Sequence, residues 1–524
     1  MHYGSSFSTG VIELSKLKAT TMQDTEQLYN AYKTIMQKAA DINNAAAVLG
    51  WDQEVYMPPK GAEFRGRQLA TLAGQAHELL TSDEFGSLLH ELSGAQGLDE
   101  VAQNNVRLSL EDYGKNKKLS AAFVEESSRL QSECFNAWIA AKTQSDFRIF
   151  APSLTKMIAL KRRQAELLGY KAHPYDALLD EYEKGATVAM LDPVFEGIKA
   201  RMPLLLAKIK TATQVSNDCF HQHYPKQDQW DFGVDVLKHM GFDFEAGRQD
   251  YSEHPFTTTF APTDVRITTH ANENNFASML WSCIHEGGHG LYEQGLPEEQ
   301  YGLPLGAAVS LGIHESQSRI WENCIGRSKE FWTYFYPGLQ ARFPEQLGKT
   351  DLDTFFKATN KVAPSLIRIE ADELTYHFHI LIRYEIEKAL IEGSLETEGI
   401  PTRWNELYSK YLGIMPPDDK SGALQDVHWS HGSFGYFPTY TLGSFYAAQF
   451  YEQAKTDIPG LPEQIRNGQF KQLLEWLREK VHIHGRRYTS EELCERISGK
   501  KLDATCFMKY AENKYNQVYF EDIL

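Results

Sequence analysis

Two histidines four residues apart, with a glutamate directly after the first, stand at His285-Glu286-Gly287-Gly288-His289. On a helix, residues i and i+4 share a face, so both imidazoles reach one metal ion. Glu286, one step round the helix, is then placed to take a proton from a water that the ion polarises. The chemistry this pattern implies is metal-assisted hydrolysis of a peptide bond. The helix itself is predicted by periodicity. Large apolar residues fall at Phe276, Met279, Leu280, Cys283, Ile284 and Leu291, the spacing of a buried helical face. Asn272 or Asn274 offers a cap at its start, and Gly295-Leu296-Pro297 a stop. Gly287 and Gly288 each cost about 1 kcal/mol against alanine inside a helix. Two readings account for them: close approach of a substrate or another helix to this face, or tolerance in a well-packed helix.

Zinc in a hydrolase takes three protein ligands and leaves a fourth position for water or substrate, so two histidines do not complete a site. Glu315, 26 residues after His289 in Ile313-His314-Glu315-Ser316-Gln317-Ser318-Arg319, is the best third candidate. It opens a second predicted helix that can pack against the first. His314 is an alternative ligand by its chemistry, and a solvated helix acid is the plain reading of Glu315. A hydrolytic site also needs a donor facing the oxyanion, and His428, His431, Tyr436 and Tyr440 lie close together in the sequence.

The elements that must position these groups are overwhelmingly helical. Helical periodicity covers 24–49, ending at Gly50-Trp51-Asp52, then about 62–80, 100–145, 152–168, 190–213 and 231–240. It resumes at about 314–326, 351–358, 365–392, 402–412, 440–454, 470–482 and 489–497. The most strand-like stretch, Phe256 to Thr269, stops just before the metal-motif helix, with Val265 and Ile267 alternating with Arg266 and Thr268. The expected fold is mainly α, one large helical unit with a small β-sheet next to the metal-binding helix. Residues 1–21 are Ser/Thr-rich, and Met22 is a candidate start. This divides the chain into an extension or expression artefact, 1–21, and a catalytic domain, 22–524.

At 524 residues the chain can bury a large core. Its net charge of −17 excludes nucleic acid and anionic membrane surfaces as natural partners. No apolar run approaches the roughly 18 residues of a membrane span, and no secretory signal pattern opens the chain. The six cysteines are scattered without C-x-x-C pairs, which reads as reduced residues in a cytoplasmic protein. His482 and His484 alternate like metal ligands but sit in an isolated basic stretch, and Glu181 and Glu183 read as a structural face rather than an acid/base pair.

The chain resembles the thermostable-carboxypeptidase (Taq-type) family of zinc metallocarboxypeptidases. The likeness is carried in family order by six motifs: His254-Pro255-Phe256, Asp264-Val265-Arg266-Ile267-Thr268, the metal motif, His314-Glu315-Ser316-Gln317, Ile367-Arg368-Ile369-Glu370-Ala371-Asp372 and Gly422-Ala423-Leu424-Gln425-Asp426-Val427-His428-Trp429. Weaker similarities extend it to about residues 24–520. The resemblance implies His285, His289 and Glu315 as ligands of one divalent metal per chain, zinc expected and cobalt or manganese the alternatives. It implies Glu286 as catalytic carboxylate, Tyr436 as site tyrosine and His428 as its companion. It further implies a deep groove, a homodimer, and removal of single C-terminal residues from peptides with broad tolerance and poor action at proline.

A carboxypeptidase must also grip the substrate's free carboxylate, and arginine's planar fork suits this. Arg368 is the favoured anchor and Arg266 the second. An Arg368–Asp372 pair along the predicted helix is the plainer reading of Arg368, and Arg266 beside Asp264 is equally readable as structural. Asp372 and Asp426 are candidates to orient a histidine or an arginine. Two rival functions stay open: a metallo-oligopeptidase that cleaves internally, and a non-catalytic helical peptide-binding protein with a structural metal.

Overall fold

The structure is a computed structural model that describes residues 22–520; the proposed extension, 1–21, lies outside the described residues. Helices dominate it, as the periodicity predicts. Helix α1 (Met22–Val55) runs straight through Gly50 rather than ending there. The run read over 100–145 is two helices, Glu100–Lys118 and Ala121–Gln144. Ser120 separates them, its hydroxyl accepting from Phe123 N at 3.2 Å as a cap. A helix at Lys329–Arg342 escaped the sequence reading, for it carries Pro337 inside it, which reads as a break.

Helix α2 (Lys226–Met240) leads into a three-stranded sheet of β1 (Gly247–Tyr251), β2 (Thr257–Ala261) and β3 (Asp264–Thr269). The strand order is β1-β3-β2, with β1 parallel and β2 antiparallel to β3. The single strand-like stretch of the sequence is therefore a hairpin, β2 and β3, with a further strand added on the open edge. Val265 and Ile267 point into the core and are fully buried, as their alternation predicts.

Against this sheet lies α3 (Phe276–Glu293), the helix of the metal motif. Phe276, Leu280, Ile284 and Leu291 are at most 1% exposed, each stabilising the fold by roughly 1.5–3 kcal/mol. Its polar face meets α4 (Leu311–Arg319) at close range. A Cβ on Gly288 would lie 2.7 Å from Ser318 Cα and 2.8 Å from Gln317 O, and one on Gly287 would strike Leu237 of α2. Of the two readings of this glycine pair, close approach by neighbouring helices is the one found. After α4 the chain passes into a π-helical segment, Ile320–Gly326, a local widening often found at functional sites.

The helix read over 365–392 begins eleven residues later, as α5 (Tyr376–Glu392). Arg368–Glu370 forms only a single 3₁₀ turn. Asp372 explains the difference: its carboxylate accepts from Leu374 N at 2.9 Å, Thr375 N at 3.0 Å and Thr375 Oγ1 at 2.6 Å. That is a turn-closing arrangement that competes with helix. The last element of the site is α6 (Pro438–Asp457), packed on α4 so tightly that a Cβ on Gly443 would lie 2.5 Å from Glu315 Cβ. Most of the chain shares one apolar core, with a smaller cluster of Tyr32, Phe85, Leu89, Leu92, Val106 and Leu303 beneath α1. Among the described residues no helix is long and apolar enough to cross a membrane.

Candidate active site

The packing of α3 on α4 brings together His285, His289 and Glu315, with one donor atom from each lying within 4.8 Å of the others. Both imidazoles turn Nε2 toward the same oxygen, Glu315 Oε2, at 3.6 Å from His285 and 3.5 Å from His289. Each ring is fixed from behind through Nδ1. His285 Nδ1 meets Glu322 Oε2 at 2.8 Å. His289 Nδ1 meets His314 Nδ1 at 2.6 Å, and His314 Nε2 meets Glu293 Oε1 at 2.7 Å. When Nδ1 of each ring donates, the lone pair of Nε2 is left facing the convergence point, the tautomer a metal requires. His314, the alternative third ligand of the sequence reading, stands behind His289 instead of beside it.

The electrostatics follow from burial and pairing. Burial disfavours the imidazolium at both histidines. At His285 the neighbouring Glu315 and Glu322 carboxylates outweigh it and the net shift is upward. At His289 burial and the nearby His314 together push it down to about 3. Burial opposes the Glu315 carboxylate too, but Arg319, His285 and His289 hold it well below the usual carboxylate range. Glu286 is pushed up by burial, against the opposing pull of His285 and of Thr257. The Thr257 hydroxyl, on β2, donates to Glu286 Oε2 at 2.6 Å. The sheet therefore aims the carboxylate that α3 presents.

These groups open on a cleft of about 1270 Å³, lined also by Trp281, Arg319, Arg327, Lys361, Arg368, Tyr376, Tyr436 and Tyr440. Tyr436 packs edge-on against Tyr182 and Tyr440. His428 does not line the cleft. Its ring lies behind Tyr436, centroids 5.3 Å apart, and 4.4 Å from that of Phe437; burial pushes its imidazole down to about 4.

Arg368 lines the cleft at 7% exposure. Its Nε donates to Asp426 Oδ1 at 2.9 Å and its Nη1 to Tyr376 Oη at 3.1 Å. Among the described residues nothing accepts from its Nη2. Asp426 is shared with the fully buried Arg383, whose Nε donates to Oδ2 at 2.7 Å. The Arg368–Asp372 pair of the plainer reading is not formed, because no helix sets the two on one face; Asp426, one of the two acids read as candidates to orient a histidine or an arginine, holds Arg368 instead. Arg266 lies elsewhere. Its fork closes on Asp264 at 3.0 Å through both Nε and Nη2, and its guanidinium sits over Trp51 at 4.4 Å and Phe260 at 4.8 Å. It braces the end of α1 on the sheet, and it is not among the described residues that line the cleft.

Sequence reasoning passed over Thr257, Glu293, Arg319, Glu322 and Arg327. A signal existed for two of them: Arg319 and Glu322 follow Glu315 by four and seven residues, one helical face. His482 is a packing residue, with Nε2 at 3.0 Å from Gln317 Oε1 of α4. Glu183 is fully enclosed and accepts from Gly312 N at 2.9 Å and from the Ser490 hydroxyl, the structural role read for it.

The chain matches the model of the Carboxypeptidase Taq (M32) metallopeptidase family over residues 31–515. Thermostable carboxypeptidase 1 of Thermus thermophilus is 40% identical over 508 residues, covering 94% of this chain and 99% of that protein. Carboxypeptidase 1 of Bacillus subtilis is 39% identical over 487 residues, 93% of this chain and 97% of that protein. Among solved structures, the M32 carboxypeptidase of Deinococcus radiodurans R1 superposes with a TM-score of 0.93 at 37% identity, covering 94% of this chain and 99% of that one. A family match this extensive, shared by relatives aligned over almost their whole length, makes the chain a member of the Carboxypeptidase Taq (M32) family and a metal-dependent carboxypeptidase that hydrolyses the C-terminal peptide bond of peptides.

Proposed function

We propose that His285, His289 and Glu315 hold one divalent ion, zinc by preference, and that Glu286, Tyr436 and Arg368 carry out the rest of the reaction around it. Two imidazoles and one carboxylate are a common hydrolytic zinc set, and the hydrogen-bonded backing of both rings suits it. A divalent ion held there supplies Lewis acidity toward the scissile carbonyl and toward the attacking water. Glu286 takes the proton of that water and passes it to the departing amine. The Thr257 hydroxyl, donating to Oε2 at 2.6 Å, holds the carboxylate in one position for both transfers. The Tyr436 hydroxyl donates to the oxyanion, with His428 setting the position of its ring from behind. Arg368, already held through Nε and Nη1, offers its Nη1–Nη2 edge to the substrate's terminal carboxylate. Arg266, the second candidate for that role, is assigned to bracing the sheet.

The observation that carries this reading is that both imidazoles aim Nε2 at one Glu315 oxygen, in a cleft that Glu286, Arg368 and Tyr436 also line. We assign residues 22–524 to one catalytic domain with broad side-chain tolerance and poor action at proline. We further propose that the protein is cytoplasmic, in keeping with six cysteines that are all free, and that it forms a homodimer as its family resemblance implies. The test is amino-acid release from N-blocked tri- to pentapeptides with a free or an amidated C-terminus. Metal-loaded protein is expected to release one residue at a time from the free acid only. Glu286→Gln is expected to lower kcat by at least about 10²–10⁴-fold while retaining its metal. Undiminished turnover by Glu286→Gln would sink the assignment, and equal cleavage of the amide would remove the carboxylate anchor.

A further inference from the structure

Arg319 stands one helical turn after Glu315 and takes no part in the reaction just outlined. Its guanidinium nevertheless bridges two buried carboxylates. Nε donates to Glu315 Oε1 at 2.7 Å, and Nη1 donates to Glu322 Oε2 at 3.1 Å. Glu322 Oε2 is the same atom that meets His285 Nδ1, so one side chain ties the carboxylate that faces both imidazoles to the carboxylate that orients one of them. Glu322 is held from its other oxygen by Arg327 Nη2 at 3.0 Å, and the Arg319 guanidinium lies over the Tyr376 ring at 5.0 Å. The bridge is therefore held by partners at both carboxylates and by an aromatic ring, with the guanidinium itself at the wall of the cleft.

The consequence lies in how the two oxygens of Glu315 are divided. Oε1 is committed to Arg319; Oε2 faces His285 and His289, and among the described residues its one other polar neighbour is the Ser318 hydroxyl at 3.1 Å, which lies closer to the Glu315 backbone carbonyl at 2.7 Å. A carboxylate free at both oxygens can bind an ion through one or two. A second oxygen would fill a position that a hydrolytic site keeps for water or substrate. Arginine suits the task because its planar fork bonds two acceptors in fixed directions, which the single ammonium of lysine does not.

We propose that Arg319 is the positioning residue that makes Glu315 a one-oxygen ligand and couples it to the carboxylate behind His285, keeping a coordination position open. This rests on the reading of His285, His289 and Glu315 as ligands. The experiment titrates metal-free protein with Co²⁺, reading visible absorption and, by competition with a chelator, the dissociation constant. It compares wild type, Arg319→Gln, Arg319→Lys and Glu315→Gln. Both Arg319 variants are expected to bind Co²⁺ about 10–100-fold more weakly. Their visible bands should lose intensity, as cobalt does when it gains oxygen ligands and leaves four-coordinate geometry. Wild-type band intensity in Arg319→Gln and Arg319→Lys would overturn the proposal, whether or not affinity falls, since the number of Glu315 oxygens on the ion would then not depend on the arginine. Thermal unfolding of the metal-free forms checks the fold, and the lysine variant carries the test if the glutamine variant does not fold. A Glu315→Gln protein with an unchanged cobalt spectrum would instead remove the ligand reading, and this proposal with it.

Discussion

Gly288→Ala offers the sharpest test of how α3 and α4 build the site. The added Cβ would stand 2.7 Å from Ser318 Cα, 2.8 Å from Gln317 O and 3.2 Å from Ser318 N. Ordinary carbon contacts lie at about 3.5–4.0 Å, so the two helices must part by about 1 Å. All three neighbours are backbone atoms, and no rotamer change relieves them. His285 and His289 flank Gly288 on α3 while Glu315 and Ser318 ride on α4, so the movement that admits the methyl also spreads the proposed ligand set. Overpacking of this kind costs about 1–3 kcal/mol, and alanine returns about 1 kcal/mol of helix propensity. The metal-free fold should thus lose only about 0–2 kcal/mol. Metal binding is far less forgiving, because ligand distances must hold to within about 0.2 Å, and a misplacement of about 1 Å at a reacting centre costs on the order of 10²-fold in rate.

The assay has three readings: thermal unfolding of the metal-free protein, zinc affinity by chelator competition, and kcat/KM at saturating zinc. Gly288→Ala should fold, bind zinc at least about tenfold more weakly, and lose about 10²-fold in kcat/KM. Gly287→Ala is the matched control. Its methyl meets the tip of the Leu237 side chain, which can turn aside, so stability falls but zinc affinity holds. Gly74→Ala, in the helix Ala62–Thr81 with nothing within 4 Å of the new methyl, should be more stable by about 0.5–1 kcal/mol with activity unchanged. Wild-type zinc affinity and kcat/KM in Gly288→Ala would refute the argument that the α3–α4 spacing sets the ligand geometry.

Arg368→Ala should lower kcat/KM on a free-acid peptide by about 10²–10³-fold, the loss of a charge-assisted pair of hydrogen bonds, and leave any residual cleavage of the amidated peptide unchanged. Equal loss on both would make Arg368 a support for Asp426 rather than an anchor. Stability should also carry a pH signature from Glu183, pushed up to about 7 by burial against the opposing hydrogen bonds of Ser490, Ser310 and Gly312. Its folded value lies above the unfolded one, so its contribution is full below about pH 4.5 and is lost as pH rises through 7, in all about 3 kcal/mol. Glu183→Gln should flatten that part of the profile when unfolding free energy is followed from pH 4.5 to 7.5, and an identical slope in wild type and variant would contradict it.

What the sequence disclosed depended on whether local pattern and tertiary environment agreed. The α3 helix was legible because its apolar spacing, its stop and its two histidines all report one period. Strand β3 was legible through Val265 and Ile267, but β1, Gly-Arg-Gln-Asp-Tyr, has no apolar alternation, and its Gln249 and Asp250 are buried. That strand exists because β3 offers it a parallel edge, a fact no local window contains. The residues around Arg368 misled in the opposite way. Leu366, Ile367, Ile369 and Leu374 continue a helical period into α5, yet Asp372 closes a turn with its own carboxylate and delays the helix to Tyr376. A side chain competing for backbone donors overrode the periodicity.

The same contrast separates the proposed ligands from the groups that hold them. His285 and His289 stand out because histidine is rare and their spacing is specific, whereas Glu315 is singled out from an ordinary helix acid only by its place in a family motif. Glu315, Arg319 and Glu322 form an acid–base–acid series at i, i+4 and i+7, which on an exposed helix is an ordinary salt-bridged surface worth a few tenths of a kcal/mol per pair. Here the two acids are 6% exposed, with α3 and α6 packed against α4 and its continuation. Burial alone changes the meaning of the pattern: charges that would be screened in water must satisfy one another, and their geometry becomes fixed. Motif membership has the converse weakness. Arg266 and His428 lie in motifs as specific as that of Arg368, yet one braces α1 on the sheet and the other backs an aromatic ring. A motif marks residues that matter to the fold and the reaction together, and only the cleft they do or do not line tells the two apart.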